Sequence, residues 1–417
     1  SDASAQAAEQ VRGMGGDAET GGHDLGKLAA CDRIVLSPGI PPTAKILKDP
    51  AIAHVEVVPE IELAFEQLES RVIGITGTNG KTTVTALIEH VLRGSGRDAV
   101  AGGNIGTALS ELALRAPQPE IAVVEASSFQ LGMIRSFAPE IGVLTNLAPD
   151  HLDWYPDVEA YYADKANLFR NATPASRWVL NAEDERARDL PGDAPGERFY
   201  FRVASQPDPG ERGAFLDPEG WLTLNVDGTE EALVPAYELK ILGPHNAANA
   251  LAAALAARLA GADAKSIGHA LRGFEAPAHR LQPVGEKGGV LWINDSKATN
   301  IASTRVAVRG MTRPVVLLLG GRHKGEPYTE LVPELGPNVR AVVAYGEAGP
   351  IVEQDLAGHV PVERVDGSFE EVVGRARALA QEGDAILLSP ACSSFDMFPN
   401  YEERGRRFAE LAAEDRT

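Results

Sequence analysis

Residues 72–83 constrain the fold of this chain more than any other stretch. An apolar run leads into a turn that contains Gly77 and Gly80, and a helical pattern follows the turn. This order lets backbone N–H groups and the positive end of a helix converge on phosphate oxygens. Lys81 adds a mobile cation, and Thr82 adds a hydroxyl that can bind Mg²⁺. The stretch predicts a loop that holds a nucleoside triphosphate in a parallel α/β sheet.

The loop does not match the general pattern G-x-x-x-x-G-K-[ST] in full, because Ile75 stands where the first glycine is expected. An ordinary strand, turn and helix with an exposed lysine is therefore the alternative interpretation. The compact form G-T-N-G-K-T, placed between a strand and a helix, favours phosphate binding.

Length and charge narrow the class of protein. A chain of 417 residues is expected to form about two or three domains. The formal net charge of −20 and the lack of a basic cluster argue against a surface that coats nucleic acid. An anionic substrate must then be held by a few local cations and backbone N–H groups. We expect a monomer that acts on small molecules, without nucleic-acid or membrane partners.

Cysteine content and hydropathy indicate the compartment. Cys31 and Cys392 are the only cysteines and lie far apart in the sequence, so we expect neither a disulfide framework nor a cysteine metal site. No apolar run reaches the ~18 residues that cross a bilayer, and the first residues do not resemble a signal peptide. The expected location is the reducing cytoplasm.

Alternating strand and helix patterns predict an α/β fold with domains at 1–68, 69–277 and 278–417. Strands are predicted at 32–36, 121–125, 141–146, 178–181, 290–293, 314–319, 341–345 and 385–388. Helices are predicted at 158–169, 246–259, 264–271, 299–308, 348–356 and 369–381. A small β excursion is expected at 192–234, and the two prolines in 273–283 predict a hinge.

Polar residues follow the strands of the predicted central sheet, and each has an ordinary explanation beside a functional one. Glu125 is well placed for a hard cation, or it balances a helix dipole. His151, between Asp150 and Asp153, can bind a metal while a carboxylate orients it, or it is a solvated loop residue. Lys165 has apolar neighbours, so it is either desolvated and open to modification or extended to water.

Two further regions carry clustered polar groups. Asn246 and Asn249 lie on one face of a predicted helix start, where their amides could bind a purine edge or a phosphate; capping is the alternative for Asn246. In the last domain, the turns at 294–300, 320–325 and 389–396 each follow a strand and carry carboxylates, cations or hydroxyls. Three such turns at one sheet edge predict a site.

Together these stretches resemble the Mur ligase family. The resemblance is carried by GTNGKTT from Gly77, GGNIG from Gly102, EASSFQL from Glu125, NLAPDHLD from Asn146, GPHNAANALAA from Gly243, APAHRLQ from Ala276, NDSKATN from Asn294, GGRHKG from Gly320 and SPACSSFDMFPNYEERG from Ser389. The motifs stand in the family's order. Their joint occurrence is much more specific than any one of them.

The resemblance implies a partial Rossmann-like N-terminal domain, a central P-loop ATPase-type parallel sheet with a small β excursion, and a C-terminal Rossmann-like domain. The last motif resembles the family members that add D-glutamate to a UDP-linked muramoyl-alanine in peptidoglycan precursor synthesis. ATP would phosphorylate a carboxylate, and the amine of the amino acid would displace the phosphate. The implied cofactors are ATP and Mg²⁺ at two sites, with Lys165 present as a carbamate.

The resemblance also implies roles for individual residues. The expected catalytic residues are Lys81, Glu125, His151, Lys165 and Lys297. The expected nucleotide contacts are Gly77, Thr78, Asn79, Gly80, Lys81, Thr82, Thr83, Asn249, Arg280, Asp295 and Lys297. The expected metal ligands are Thr82 and Glu125 for one ion and His151 and Lys165 for the other. The expected substrate contacts are Ser37 at the uridine edge, Asn104 and His151 near the muramoyl peptide, and Thr299, Lys324, Ser394, Phe395 and Tyr401 around the amino acid.

Two alternatives stay open. One is a different family member, or a folylpolyglutamate synthase, that adds another amino acid; the absence of an Asn-Pro-Arg motif from the last domain argues against the diaminopimelate-adding enzyme. The other is a silent nucleotide-binding module, which has no need of the whole catalytic set. The glycine-rich strand, turn and helix that open the family's first domain have no counterpart here, so we expect weak UDP-sugar binding with ATP binding retained.

Overall fold

The computed structural model describes residues 5–37, 40, 44–150, 154–241, 243–275 and 278–414, and these form an α/β protein with three sheets whose strand pairs are mostly parallel. The predicted fold class is confirmed. Short 3₁₀ helices connect several elements, at Lys45–Lys48, Pro50–Ile52, Asn167–Phe169, Ala236–Glu238 and Tyr328–Glu334. In the described part of the chain, no helix combines the length and apolar character needed to span a bilayer.

The first sheet has two parallel strands, β1 (Arg33–Leu36) and β2 (Glu56–Pro59). Its region also contains helices α1 (Ala5–Gly13), α2 (Leu25–Ala29) and α3 (Glu60–Phe65). The strand predicted at 32–36 is confirmed as β1. Arg33 pairs with Glu56 at 2.6 Å, and Arg135 from the next region also pairs with Glu56. The first ion pair joins the two strands of this sheet, and the second ties the sheet to the region that follows.

The second sheet has nine strands. They are β3 (Arg71–Thr76), β4 (Ala99–Gly103), β5 (Ile121–Glu125), β6 (Ile141–Leu144), β7 (Arg177–Asn181), β8 (Glu197–Arg202), β9 (Gly213–Leu216), β10 (Trp221–Asn225) and β11 (Glu230–Pro235), in the order β11-β10-β9-β8-β7-β6-β3-β5-β4. The associated helices are α4 (Lys81–Gly94), α5 (Leu109–Ala113), α6 (Ser128–Leu131), α7 (Val158–Ala166), α8 (Glu185–Asp189), α9 (Pro244–Leu259) and α10 (Ala264–Gly273). The expected β excursion is present as β8–β11, and it extends this sheet because β8 pairs in parallel with β7.

Helices cover both faces of the second sheet, which is why its inner strands are continuous apolar runs. On one face, Leu87 of α4, Leu255 of α9 and Leu271 of α10 are almost completely buried. On the other face, Ile61 of α3 and Leu112 of α5 are fully buried. β3, which leads into the phosphate loop, pairs with β5 and β6 on its two sides. The loop therefore leaves a strand that is fixed on both edges.

The third sheet has six strands. They are β12 (Gln282–Lys287), β13 (Val290–Asn294), β14 (Val315–Gly320), β15 (Val339–Tyr345), β16 (Val362–Val365) and β17 (Ala385–Leu388), in the order β12-β13-β17-β14-β15-β16. Its helices are α11 (Ile301–Arg309), α12 (Gly349–Leu356), α13 (Phe369–Leu379) and α14 (Tyr401–Ala413). All pairs are parallel except β12 with β13, so the turns after β13, β14 and β17 meet at one edge.

The structure corrects two predicted boundaries. Residues 282 and 283 were expected in a hinge, but they begin β12, an edge strand that tolerates Pro283 because one of its sides has no neighbour. The helix predicted at 158–169 is α-helical only to Ala166 and ends in a 3₁₀ turn. Residues 276 and 277 of the predicted hinge, and residues 38 and 39 of the predicted uridine edge, lie outside the described residues.

Candidate active site

The phosphate loop lies between β3 and α4, as predicted. Gly77 has a φ of 141° and Gly80 a φ of 84°, in the range that favours glycine. A Cβ atom at Gly80 would lie 2.5 Å from Oδ1 of Asn249, so glycine lets this amide approach the loop. Thr82 is partly buried and Thr83 is buried in the first turn of α4. The structure thus places a predicted nucleotide residue of α9 directly against the loop.

The segment that follows β6 supports the loop. The hydroxyl of Thr145 donates to the carbonyl oxygen of Asn79 at 2.6 Å, and the backbone N–H of Asn79 donates to Oδ1 of Asn146 at 3.0 Å. The hydroxyl of Thr78 donates to the carbonyl oxygen of Ala148 at 2.9 Å. Because the loop is bonded at two successive residues, its backbone is held in shape by the protein.

Two lysines converge on the carbonyl oxygen of Gly77. Nζ of Lys81 donates to it at 2.9 Å and to the carbonyl oxygen of Thr78 at 2.9 Å, while Nζ of Lys165 donates to the Gly77 oxygen at 2.7 Å. Lys165 is buried in α7, with Nζ 4.5 Å from the centre of the Tyr161 ring. Burial lowers the pKa of both lysines. The pKa of Lys165 lies well below its usual value, because the charge of Lys81 lowers it in addition to burial. The alternative in which Lys165 extends to water is wrong.

Glu125 ends β5, and its side chain is buried. Nδ2 of Asn104 donates to Oε1 at 2.9 Å, whereas Oε2 has no hydrogen-bond partner among the described residues. Helix α6 begins three residues later and is capped by Ser127 and Gln130, so Glu125 does not cap this helix. A buried carboxylate oxygen without a partner is suited to a hard cation.

The protein residues near the loop do not by themselves complete a metal centre. Across the described ranges, no group of three or more His, Cys, Asp or Glu side chains could hold an ion. His151, a predicted metal ligand, lies outside the described residues. Mg²⁺ commonly takes one or two carboxylates and completes its shell with phosphate oxygens and water, so Glu125 beside the loop fits this ion.

Asp295 and Arg280 lie on the third sheet's side of the gap between the second and third sheets. Asp295, directly after β13, accepts a hydrogen bond from the backbone N–H of Leu281 at 3.1 Å and from the hydroxyl of Ser389 at 2.8 Å. Burial raises the pKa of Asp295 to about 7. Nε of Arg280 is buried without a partner among the described residues, and burial lowers the pKa of this guanidinium. Leu281 has a positive φ of 41°, an unusual conformation for a leucine.

Lys297 connects the predicted nucleotide and amino-acid residues. Its Nζ donates to the hydroxyl of Tyr401 at 3.0 Å and lies 4.6 Å from the centre of that ring. Burial lowers the pKa of Lys297 to about 8, and the charge of Arg280 lowers it as well, while Glu125 opposes the shift. Groups from both sheets therefore act on one lysine.

A cavity of about 450 Å³ lies between the second and third sheets. It collects a large part of the predicted nucleotide set. Those lining residues are Asn79, Gly80, Thr83, Asn249, Arg280, Asp295 and Lys297. The cavity has the size of a small-molecule site.

The residues predicted to contact the amino acid are not among those that line this cavity. Nζ of Lys324 is 3.5 Å from the hydroxyl of Thr299. Ser394 is buried, but the neighbouring Phe395 is 61 % exposed. Ser37, the predicted uridine contact, is exposed directly after β1 in the first sheet.

Direct contacts across the gap were not predicted. The hydroxyl of Ser303 in α11 donates to Oδ1 of Asn79 at 2.6 Å. Nδ2 of Asn300 donates to Oδ2 of Asp150 at 2.9 Å, and Nζ of Lys324 is 3.7 Å from Oδ1 of Asp150. The aspartate was noted in the sequence as a partner of His151, but nothing in its surroundings indicated a contact with the third sheet.

His245 is a further residue whose place was not predicted. It lines the cavity, and burial lowers its pKa to about 4, so its ring is neutral at physiological pH. Its Nδ1 is buried without a partner among the described residues. Its position next to Asn246 in a motif of polar residues was the available signal.

Comparisons with protein families agree with this architecture. Residues 75–257 match the Mur ligase middle domain, and residues 279–392 match the Mur ligase, glutamate ligase domain. Among solved structures, the chain is similar to a pseudomurein peptide ligase type C from Methanothermus fervidus, with a TM-score of 0.65 and 20% identity over 97% of this chain and 92% of that one. It is also similar to the UDP-N-acetylmuramate-alanine ligase of Thermotoga maritima, with a TM-score of 0.63 and 18% identity over 97% and 90%. These two likenesses concern the fold.

Relatives with higher identity cover nearly the whole chain. The UDP-N-acetylmuramoylalanine–D-glutamate ligase of Salinibacter ruber is 41% identical over 99% of this chain and 90% of the relative. The enzyme of that name from Anaeromyxobacter dehalogenans is 42% identical over 94% and 86%. The two domain matches and this extended identity show that the chain belongs to the Mur ligase family of ATP-dependent ligases.

Proposed function

We propose that this chain adds D-glutamate to UDP-N-acetylmuramoyl-L-alanine at the expense of ATP, in peptidoglycan precursor synthesis. A single observation supports this function most strongly: the cavity between the second and third sheets is lined by the phosphate-loop residues Asn79 and Gly80 on one side and by Arg280, Asp295 and Lys297 on the other. Such a cleft can hold a triphosphate from one side and an amino acid from the other. The relatives from Salinibacter and Anaeromyxobacter bear the name of this activity.

In the proposed reaction, the acceptor carboxylate attacks the γ-phosphorus of ATP, and ADP leaves as an acyl phosphate forms. The amine of D-glutamate then attacks the acyl carbon, loses a proton and displaces phosphate, which leaves an amide. Lys81 would contact the β- and γ-phosphates, and Lys297 would stabilise charge that develops during transfer. Arg280, Asp295 and Asn249 would position the nucleotide, together with the loop residues 77–83.

Mg²⁺ fits the residues present, because Glu125 keeps a buried oxygen without a partner among the described residues. Thr82 and Glu125 would hold one ion, and His151 and Lys165 would hold a second. Bound Mg²⁺ would neutralise charge on the phosphoryl oxygens.

Lys165 would serve as a ligand after reaction with CO₂. A neutral amine is the reactive form, and the lowered pKa of Lys165 favours that form. In this step a C–N bond forms between Nζ and CO₂, a proton is released, and the product is an anionic carbamate whose oxygens suit a hard cation.

The amino acid would bind at the third sheet's edge. Thr299 and Lys324 lie within hydrogen-bond reach of one another and would contact its carboxylates together with Ser394, Phe395 and Tyr401. Asn104, already bonded to Glu125, and His151 would lie near the muramoyl peptide, and Ser37 at the uridine edge.

Residues 1–68, 69–277 and 278–417 would form the UDP-binding, ATP-binding and amino-acid-binding domains of a cytoplasmic monomer. Closure about residues 273–283 would keep water from the acyl phosphate.

Phosphate release tests this function. We expect release with ATP, Mg²⁺, UDP-N-acetylmuramoyl-L-alanine and D-glutamate, and much slower release with L-glutamate or diaminopimelate in its place. Added bicarbonate should raise the rate if Lys165 is carbamylated. Release with another amino acid only would favour a different family member, and no release with any amino acid would favour a silent nucleotide-binding module.

A further inference from the structure

A fully buried arginine, Arg404, lies behind the third sheet's edge. It belongs to α14, three residues after Tyr401, and is 0 % exposed. Its Nε donates to the hydroxyl of Ser296 at 3.0 Å. One terminal nitrogen donates to the carbonyl oxygens of Ser296 at 2.8 Å and Cys392 at 3.1 Å, and the other to that of Ser393 at 3.4 Å. All of these acceptors are neutral.

Arg404 contacts all three turns that were predicted to form a site. Ser296 belongs to the turn after β13, and Cys392 and Ser393 belong to the turn after β17. The turn after β14 also lies against the guanidinium, since a Cβ atom at Gly321 would be 3.1 Å from its Nη1. One side chain therefore sets the spacing of the turns that carry Thr299, Lys324 and Ser394.

Arg404 donates only to neutral acceptors and forms no ion pair with a carboxylate of the described residues. No Asp or Glu of the described ranges lies within ion-pair distance of it, although Lys324 lies 3.7 Å from Asp150 and Arg322 pairs with Glu347 at 3.2 Å. A buried charge without a counter-ion is costly, and carbonyl dipoles offset only part of that cost. An anion bound at this edge would add an opposite charge.

Arg340, at the opposite edge of the same sheet, shows the usual arrangement. Its Nε lies 2.5 Å from Oδ2 of Asp384, and a terminal nitrogen donates to Oδ1 at 2.9 Å. This arginine is also distant from the three turns, because Asp384 directly precedes β17 while the turns follow the strands. Arg340, which is partly exposed, is therefore a control for the loss of an ion-paired arginine from the same sheet.

We propose that Arg404 is a positioning residue for the amino-acid substrate. It holds the three turns together so that Thr299, Lys324 and Ser394 meet the two carboxylates of the incoming glutamate, and its buried positive charge favours a dianion there. Arg404 itself touches no substrate. The inference rests on the proposed function and assigns to α14 a part in amino-acid selection.

The test compares R404M, R404K and the control R340M by KM for D-glutamate, KM for ATP and thermal unfolding. For R404M we expect KM for D-glutamate to rise about 10- to 100-fold and KM for ATP to rise several-fold less, because two of the three turns carry only amino-acid contacts, while Ser296 also adjoins Asp295 and Lys297. R404K keeps the charge without the planar fork and should show a smaller rise. R340M should lower the unfolding temperature and leave KM for D-glutamate unchanged.

The inference is overturned if KM for D-glutamate stays the same in R404M, or if both KM values rise together as in a generally damaged enzyme. Should R404M fail to fold, R404K is judged by the same selective rise in KM for D-glutamate. If the unaltered chain shows no turnover with D-glutamate, the proposed function itself fails, and this outcome is separate from any effect of the variants.

Discussion

Two buried carboxylates lie on opposite sides of one gap, and their surroundings differ. Both oxygens of Asp295 accept hydrogen bonds, from the backbone N–H of Leu281 and the hydroxyl of Ser389. Glu125 has one oxygen bonded to Asn104, and its other oxygen has no partner among the described residues. A carboxylate whose two oxygens both accept hydrogen bonds holds the neighbouring protein groups in place, whereas an oxygen without a partner is available to a ligand. Asp295 therefore anchors residues of its own side of the gap, whereas Glu125 keeps an oxygen for a ligand.

The largest expected effect concerns Asp295 and stability. Its pKa of about 7 in the folded chain lies above its ordinary value of 3.8, so between these values the folded chain keeps a proton that the unfolded chain has lost. The contribution of this proton to the free energy of unfolding is therefore complete below about pH 4. It is lost as the pH rises to 7, which lowers the free energy of unfolding by about 4 kcal/mol in total. D295N removes this dependence, because an amide does not titrate and can still bond Leu281 and Ser389.

Chemical denaturation between pH 5 and 8 measures this slope, and E125Q is the matched control that keeps the aspartate. An unchanged slope in D295N would show that Asp295 does not hold the raised pKa, and the contrast between the two carboxylates would be lost.

A smaller effect is expected for Glu125 and Mg²⁺. E125Q keeps the acceptor for Asn104 but removes the negative charge of the second oxygen, so the Mg²⁺ concentration for half-maximal phosphate release should rise about 10- to 100-fold. D295N at saturating ATP should keep the Mg²⁺ dependence of the unaltered chain. Equal Mg²⁺ dependence in E125Q and the unaltered chain would contradict a metal role for Glu125.

The smallest effect concerns Lys297, whose environment includes groups from both sides. Its pKa of about 8 means that the cation is lost as the pH rises through this value. If the cation stabilises the transferring phosphoryl group, activity should fall about tenfold per pH unit above pH 8. Arginine stays charged over this range, so K297R should have a flat profile from pH 8 to 9.5 relative to its own maximum. The same fall in both proteins would assign it to another group.

Strands and the turns after them could be predicted from the sequence wherever all the residues that indicate them are consecutive in the chain. The strands β3, β5 and β17 are buried on both faces and appear as apolar runs, and the polar turns after them follow directly in the sequence. Edge strands were harder to recognise. β2 has four residues and ends in proline, and β12 contains a proline and a glycine, so neither has a regular alternation.

The sequence by itself determined which polar residues follow each strand, because these residues are adjacent to the strand in the chain. It also determined that they share one edge, because the strands of a parallel sheet all end at the same edge. Only the tertiary structure decided which of these groups meet. Asn300 bonds to a residue 150 positions away, Ser303 to one 224 positions away, and Arg404 joins turns that are about a hundred residues apart. Such contacts depend on how two separately wound sheets approach one another, and no local pattern of residues records that approach.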